Sequence, residues 1–277
     1  MKIFMITLSL LLASQLMAQP EFRVTKKGSG QPVLLLPGFT CTAEVWQDIE
    51  TTLTPNHELH LMTFAGFGDT TPISFPWLPQ IKEALLTYVE ENKLHKPVII
   101  GHSMGGTLAL WLAADHPDVF SKVIVVDGLP AMGALMMPNY DSEKIAYETP
   151  YNKQMLEMDT TAFKNMATQM AGSMTLNKAK VPQLTEWILQ ADRETYVYGY
   201  TDLLKLDLRE DLSNITIPVT ILAATHPYGK EMAEATYNSQ YKQLKKYDIY
   251  FAENAGHFIM FDQPEWFKQK IASELEK

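Results

Sequence analysis

A serine lies between two glycines in Gly101-His102-Ser103-Met104-Gly105. The pentapeptide directly follows the apolar run of Lys96-Pro97-Val98-Ile99-Ile100 and directly precedes a helix-like stretch, Gly106 to Ala114. In that setting the G-x-S-x-G pattern has a chemical meaning. A buried strand, a sharp turn and a helix together lift the serine hydroxyl clear of the sheet edge as a nucleophile. Positions 101 and 105 must be small, because a Cβ there would collide with the neighbouring strand or helix. The N–H groups that open the helix are unpaired, point toward the serine and favour negative charge developing beside it. An alcohol is a poor nucleophile at neutral pH, so Ser103 needs a base. Of the seven histidines, His57 and His60 flank the start of a strand, where a surface position is expected. His95 and His116 sit in polar loops, and His102 points away from the serine inside the turn. His257 differs. It closes Glu253-Asn254-Ala255-Gly256-His257-Phe258, where Gly256 permits a tight loop that swings the imidazole over the sheet edge.

The elements that must position these groups are legible along the chain. Glu21 to Lys26 alternates like an early strand, Val33 to Leu36 is a buried one, and Leu59 to Phe64 is a third. Trp77 to Glu91 has helical spacing through Ile81, Leu85, Tyr88 and Val89 and leads into the strand before Ser103. Further strands are expected at Val123 to Val126, Pro218 to Leu222 and Tyr247 to Phe251. A last helix opens on Pro264 with Phe267 and Ile271 on one face. Apolar strands separated by helices predict an α/β fold, a mostly parallel central sheet with helices on both faces. Ligands in such sheets bind beyond the carboxyl ends of the strands. Gly38, Gly66, Ser103, Asp127 and His257 all fall at those ends.

From Leu129 to Leu206 the strand rhythm stops and apolar residues recur at helical intervals. Met132, Met136, Met137, Met155, Met158, Met166, Met170 and Met174 lie here, more than half of the chain's 15 methionines. They fit a helical packing layer with methionine as filler, and they fit a cap over the serine whose thioethers line an adaptable apolar pocket. The expected organisation is a signal peptide at 1–18, a core at 19–128 and 207–277, and a helical cap insertion at 129–206.

Leu36-Pro37-Gly38-Phe39, Ala65-Gly66-Phe67-Gly68, Gly101-His102-Ser103-Met104-Gly105-Gly106 and Asn254-Ala255-Gly256-His257-Phe258 together resemble the α/β-hydrolase superfamily. The likeness spans essentially the whole chain after residue 18, apart from the insertion. It implies an oxyanion hole formed by the N–H groups of Phe39 and Met104. Pro37 stands where the family often has histidine. The family's commonest position for the orienting acid, just after the strand Pro218–Leu222, reads Ala223-Ala224-Thr225-His226-Pro227-Tyr228-Gly229 with no carboxylate. A second family solution places the acid after the strand that follows the nucleophile helix, and Asp127 occupies that place. Asp127 is either this acid, fixing the imidazole tautomer, or a turn former before Gly128. Gly38, Met132, Met136 and Phe258 are expected to line the substrate pocket.

The implied chemistry is acyl transfer through Ser103, His257 and Asp127, with a carboxylic ester carrying an apolar acyl or alcohol group as the small-molecule substrate. The same apparatus serves thioesters, lactones and amides, and the fold also supports non-catalytic small-molecule binding. A nucleophilic serine excludes the dehalogenase chemistry that needs aspartate at that position. No cofactor or metal is implied, because Gly66-Phe67-Gly68 is too short for a dinucleotide loop and no ligand spacing of cysteine and histidine occurs. Cys41, the only cysteine, reads as a small buried hydrophobe and leaves no internal disulfide. The 277 residues carry a formal charge of −9, which argues against a nucleic-acid partner or an anionic membrane surface. Lys2, the apolar Ile3–Leu12 and the small-residue end of Leu16-Met17-Ala18 predict export, to the periplasm or beyond, without a stable membrane anchor. Nothing in the pattern addresses oligomeric state.

Overall fold

The computed structural model describes residues 20–277, so the expected targeting segment lies outside the described residues. Seven strands form one sheet: β1 (Phe22–Gly28), β2 (Gln31–Leu36), β3 (His57–Phe64), β4 (Val98–His102), β5 (Lys122–Val126), β6 (Val219–Ala224) and β7 (Tyr247–Ala252). Their order is β1-β3-β2-β4-β5-β6-β7. β1 runs antiparallel to β3 and every other pairing is parallel. The apolar strands are those buried in the sheet interior, with Val33 to Leu36 and Val123 to Val126 fully enclosed. β1, at an edge, keeps Phe22 and Val24 against the core while Arg23 and the residues after Val24 are exposed.

The helices are α1 (Gln47–Leu53), α2 (Trp77–Glu91), α3 (Met104–Asp115), α4 (Met132–Met136), α5 (Pro150–Glu157), α6 (Thr160–Met174), α7 (Val181–Gln190), α8 (Tyr200–Lys205), α9 (Lys230–Gln240), α10 (Ile259–Asp262) and α11 (Pro264–Leu275). α3 is apolar on nearly every face and is buried except at Trp111 and the terminal Asp115. α2 presents Trp77, Ile81, Leu85 and Val89, four residues apart, to the core. α1 packs on α11, and α2 on α3. Among the described residues, no helix is long and apolar enough to cross a membrane.

Between β5 and β6 the chain is helical, with no strand, from α4 through α8. A single π-helical turn, Thr195–Gly199, leads directly into α8. Asp202 of α8 fastens this segment to the sheet layer. Its Oδ2 accepts from the N–H groups of Trp77 at 2.6 Å and Leu78 at 3.0 Å. It thereby caps α2, whose own N-cap is a proline without a side-chain acceptor.

The expected surface position of His60 is wrong. β3 begins at His57, which puts His60 inside the strand, paired with Leu34 on one side and Lys26 on the other. There it is fully buried, its Nδ1 2.7 Å from the Tyr88 hydroxyl. Burial pushes the His60 imidazole below its ordinary value, against the pull of nearby Glu58.

Candidate active site

Strand register sets the stage. Leu36 pairs with Gly101, His102 with Val126, Val126 with Leu222, and Leu222 with Tyr250. The carboxyl ends of β2, β4, β5, β6 and β7 therefore finish nearly level, and the loops that leave them share one surface.

Ser103 sits between β4 and α3 at φ 53°, ψ −120°. A non-glycine residue in this region stores backbone strain. Its N–H donates to Val126 O at 2.8 Å, and its carbonyl accepts from Gly106 N at 2.9 Å and Thr107 N at 3.1 Å. The glycines answer to space. A Cβ on Gly105 would lie 2.3 Å from the Leu36 carbonyl oxygen of β2, and one on Gly101 would lie 2.1 Å from the Gly105 oxygen.

His257 follows β7, and its Nδ1 lies 2.6 Å from Asp127 Oδ2. Nδ1–H donates to the carboxylate, which leaves Nε2 as the nitrogen free to exchange a proton. Asp127 directly follows β5 at φ 47°. Its other oxygen, Oδ1, accepts from Ala224 N at 2.7 Å and from the Tyr237 hydroxyl at 2.9 Å. Burial pushes the Asp127 carboxyl up, but the bond and charge of His257, with the two other donors, outweigh it and hold the group below its ordinary value. Tyr237 is buried beside that charge, which drives its hydroxyl well above its ordinary value and keeps it a donor. No carboxylate follows β6; instead Ala224, the last residue of that strand, holds the Asp127 oxygen that His257 does not use.

The two amides implied for an oxyanion hole are those of Phe39 and Met104. Met104 opens α3 and Phe39 follows β2, and among the described residues neither N–H donates to a protein acceptor. The Phe39 ring is wedged edge-on against Phe67 at 5.1 Å and Trp77 at 6.4 Å, with Tyr196 and Tyr200 on its other flanks. Cys41 N–H donates to Gly38 O at 3.1 Å, closing a turn in which Thr40 takes the left-handed position at φ 64°. Such a ring-locked, hydrogen-bonded loop presents an amide without reorganisation.

Ser103 and His257 open into one cavity of about 330 Å³. Met132 and Met136 line it, with Met155, Met170 and Met174; Phe258 also lines it. Met170 and Met174, four residues apart, share one face of α6. Tyrosine hydroxyls approach two thioethers, Tyr200 on Met136 at 3.1 Å and Tyr196 on Met170 at 3.7 Å. None of the lining residues is Asp, Glu, Lys or Arg. Cys41 is part of the wall, and burial holds its thiol protonated. A larger open groove of about 640 Å³ between β1, β3 and α7 is polar and contains neither Ser103 nor His257.

Gly38 departs from expectation. It does not line the cavity but lies beneath it, where a Cβ would sit 2.7 Å from His102 Nδ1 and 3.3 Å from Ser103 Cβ. His102, expected to point away from the serine, lines the same cavity as Ser103 and His257, and its ring has a task. Its Nε2–H donates to the His257 carbonyl at 3.0 Å, and the rings stand 4.7 Å apart. Burial, with the neighbouring His257, lowers the His102 pKa to about 3, so the ring stays neutral. Tyr237 escaped the sequence reading altogether. It lies 110 residues from Asp127 on a largely polar helix, and only its aromatic character hinted at burial.

A family model described as the alpha/beta hydrolase family matches residues 33–270. Among curated relatives, the pimeloyl-[acyl-carrier protein] methyl ester esterase of Vibrio cholerae is 24% identical over 251 residues, covering 88% of this chain and 94% of the relative. Among solved structures, an esterase from Exiguobacterium antarcticum matches with a TM-score of 0.77 at 16% identity, over 92% of this chain and 96% of that one. An enol-lactonase from Burkholderia xenovorans matches with a TM-score of 0.76 at 15% identity, again over 92% and 96%.

Proposed function

This chain belongs to the alpha/beta hydrolase family, and from that premise we propose that it is a serine esterase acting on a carboxylic ester with an apolar acyl or alcohol group. The observation that carries this reading is the 2.6 Å contact of His257 Nδ1 with Asp127, with His257 lining a cavity that also holds Ser103 and no charged wall residue. The ester chemistry named for the Vibrio cholerae relative agrees with it.

The mechanism follows from the geometry. Ser103 Oγ attacks the ester carbonyl as His257 Nε2 takes its proton. The Asp127 carboxylate holds the imidazole by Nδ1 and stabilises the imidazolium that forms. Negative charge gathers on the former carbonyl oxygen, within reach of the Phe39 and Met104 amides. Loss of one such donor typically costs on the order of 3 kcal/mol in transition-state stabilisation. Collapse of the tetrahedral adduct breaks the C–O bond, and His257 gives its proton to the departing alcohol. Water, activated by the same nitrogen, then hydrolyses the acyl-enzyme and frees Ser103. The methionine-rich helices from α4 to α8 act as a cap that fits the apolar group of the substrate, thioethers adapting to its shape. Residues 1–18 direct export.

A graded panel of p-nitrophenyl esters tests the proposal, run on the full chain and on Ser103→Ala. Hydrolysis abolished in the variant supports the serine esterase reading. Turnover of lactones or thioesters alone would retain the nucleophile and replace the substrate class. Equal hydrolysis by Ser103→Ala would overturn the assignment of Ser103. Fractionation of the expressing cell tests export, which a cytoplasmic pool of unprocessed chain would contradict.

A further inference from the structure

His257 is held from its backbone as well as its ring, and one carboxylate outside the cavity gathers much of that hold. Asp262 ends α10, five residues beyond His257. Its Oδ2 accepts from Gly256 N at 2.7 Å and from Leu176 N at 3.1 Å. Its Oδ1 accepts from Leu176 N and Asn177 N, each at 3.0 Å, and from Thr175 Oγ1 at 2.5 Å. One side chain therefore joins the residue before His257 to the three residues that leave α6. Two further bonds run the same way: Phe258 N donates to Met174 O at 3.3 Å, and Asn177 Nδ2 donates to Phe261 O at 3.2 Å. Both chain neighbours of His257 are thus tied to the C-terminal end of α6, whose Met170 and Met174 form cavity wall.

We infer that Asp262 is a positioning residue for His257, and that through it the base and the α6 wall are set as one unit. The inference rests on the proposed role of His257. Asp262 does not line the cavity and so acts only through Gly256 and the Thr175–Asn177 segment. A carboxylate suits the task because it accepts at both oxygens and donates at neither, and bonds to a charged acceptor are about twice as strong as neutral ones. Holding a base to within about 0.5 Å of its working position requires a supporting shell of this kind.

Asp262→Asn tests it. An amide must turn NH₂ toward either the Gly256 N–H or the Thr175–Asn177 donors, so one half of the tie is lost. The expected result is a fall in kcat of tenfold to a hundredfold, with KM changed less than threefold and slower labelling of Ser103 by a fluorophosphonate. Thr175→Val removes one bond on the α6 side only and is expected to lower kcat in the same step by a smaller factor. The control is Asp159→Ala, which unties the opposite end of α6, where Asp159 Oδ1 accepts from Thr161 N at 2.9 Å and Ala162 N at 3.0 Å. Its melting temperature should fall while kcat stays within twofold. The inference is overturned if Asp262→Asn and Thr175→Val keep wild-type kcat. It is overturned equally if Asp159→Ala loses as much kcat for the same loss of melting temperature. A wild-type chain inert to the fluorophosphonate would instead defeat the reading of the site itself.

Discussion

Replacing Asp127 by asparagine tests the proposed chemistry most sharply, because the structure dictates which way the amide will turn. Oδ1 of Asp127 accepts from Ala224 N at 2.7 Å and Tyr237 Oη at 2.9 Å. Both donors are fixed, so the asparagine must keep its carbonyl oxygen there and place its NH₂ where Oδ2 stands, 2.6 Å from His257 Nδ1. An NH₂ can only donate. It will select the imidazole tautomer that carries its proton on Nε2, and that tautomer cannot accept the proton of Ser103. The imidazolium formed during attack also loses its counter-charge. The same exchange in a serine-protease triad lowers kcat by about 10⁴, which corresponds to roughly 5 kcal/mol of activation free energy. We expect a loss of about 10³ to 10⁴ here. The assay is steady-state hydrolysis of a short p-nitrophenyl ester, with thermal melting as a check on the fold. Melting should change little, since two of the three bonds to the side chain persist. A folded variant retaining more than a tenth of wild-type kcat would refute the reasoning and move the search for the orienting acid elsewhere.

The strain at Ser103, φ 53° and ψ −120°, predicts that Ser103→Gly will be inactive yet more stable by about 1 kcal/mol, after the entropy cost of glycine is deducted from 1–3 kcal/mol of relieved strain; a lower melting temperature would contradict this. His102 has a folded-state pKa near 3, below its unfolded value, so it favours the folded state fully above about pH 6.5 and that contribution is lost as the pH falls toward 3. By pH 5 the loss should be on the order of 2 kcal/mol, visible as a steep fall in melting temperature that His102→Gln flattens; an unchanged slope would show that His102 is not the group responsible. Met155→Trp should fill the cavity and move the optimum acyl chain of the ester panel shorter by two or more carbons while leaving the rate on acetate within a few-fold, and an unmoved optimum would remove α5 from the substrate wall.

Local signals carried the reading of this chain furthest. Strands β2, β4 and β5 announce themselves because a strand buried on both faces must be apolar at every position. The turn at Ser103 announces itself because only small residues fit at 101 and 105. Asp127 and His257 were legible because each directly follows such a strand or its loop. What escaped were partners fixed by tertiary packing. Nothing near Tyr237 in sequence says that its hydroxyl ends on Asp127, and nothing near Thr175 or Leu176 says that they bond Asp262, 87 and 86 residues away. His60 lies deeper than its sequence suggests because its strand is flanked by β1 and β2, which pair with even the strand's first residues. Gly38 was assigned to the pocket by its neighbourhood, whereas its lack of a side chain serves the packing of His102. The methionines were located as a group, but their division into wall and filler depends on helix rotation. Met166 packs in the core layer, while Met170 and Met174 reach the cavity.

The strand order has a consequence in time. Ser103 is braced by Val126, and β2, β3, β4 and β5 can pair with one another using the first half of the chain. His257 stands 130 residues beyond Asp127 and follows β7, a strand that borders the sheet and pairs only with β6. Contacts of such long range form late, because the chain between them must first be ordered. On the proposed mechanism, the Ser103 turn can therefore be built and braced before its base is in place. The same mechanism then predicts that reactivity arrives with the docking of one border strand, and that a partly folded chain carries an unreactive Ser103. Turnover, more than helix or strand content, reports that the last piece has seated.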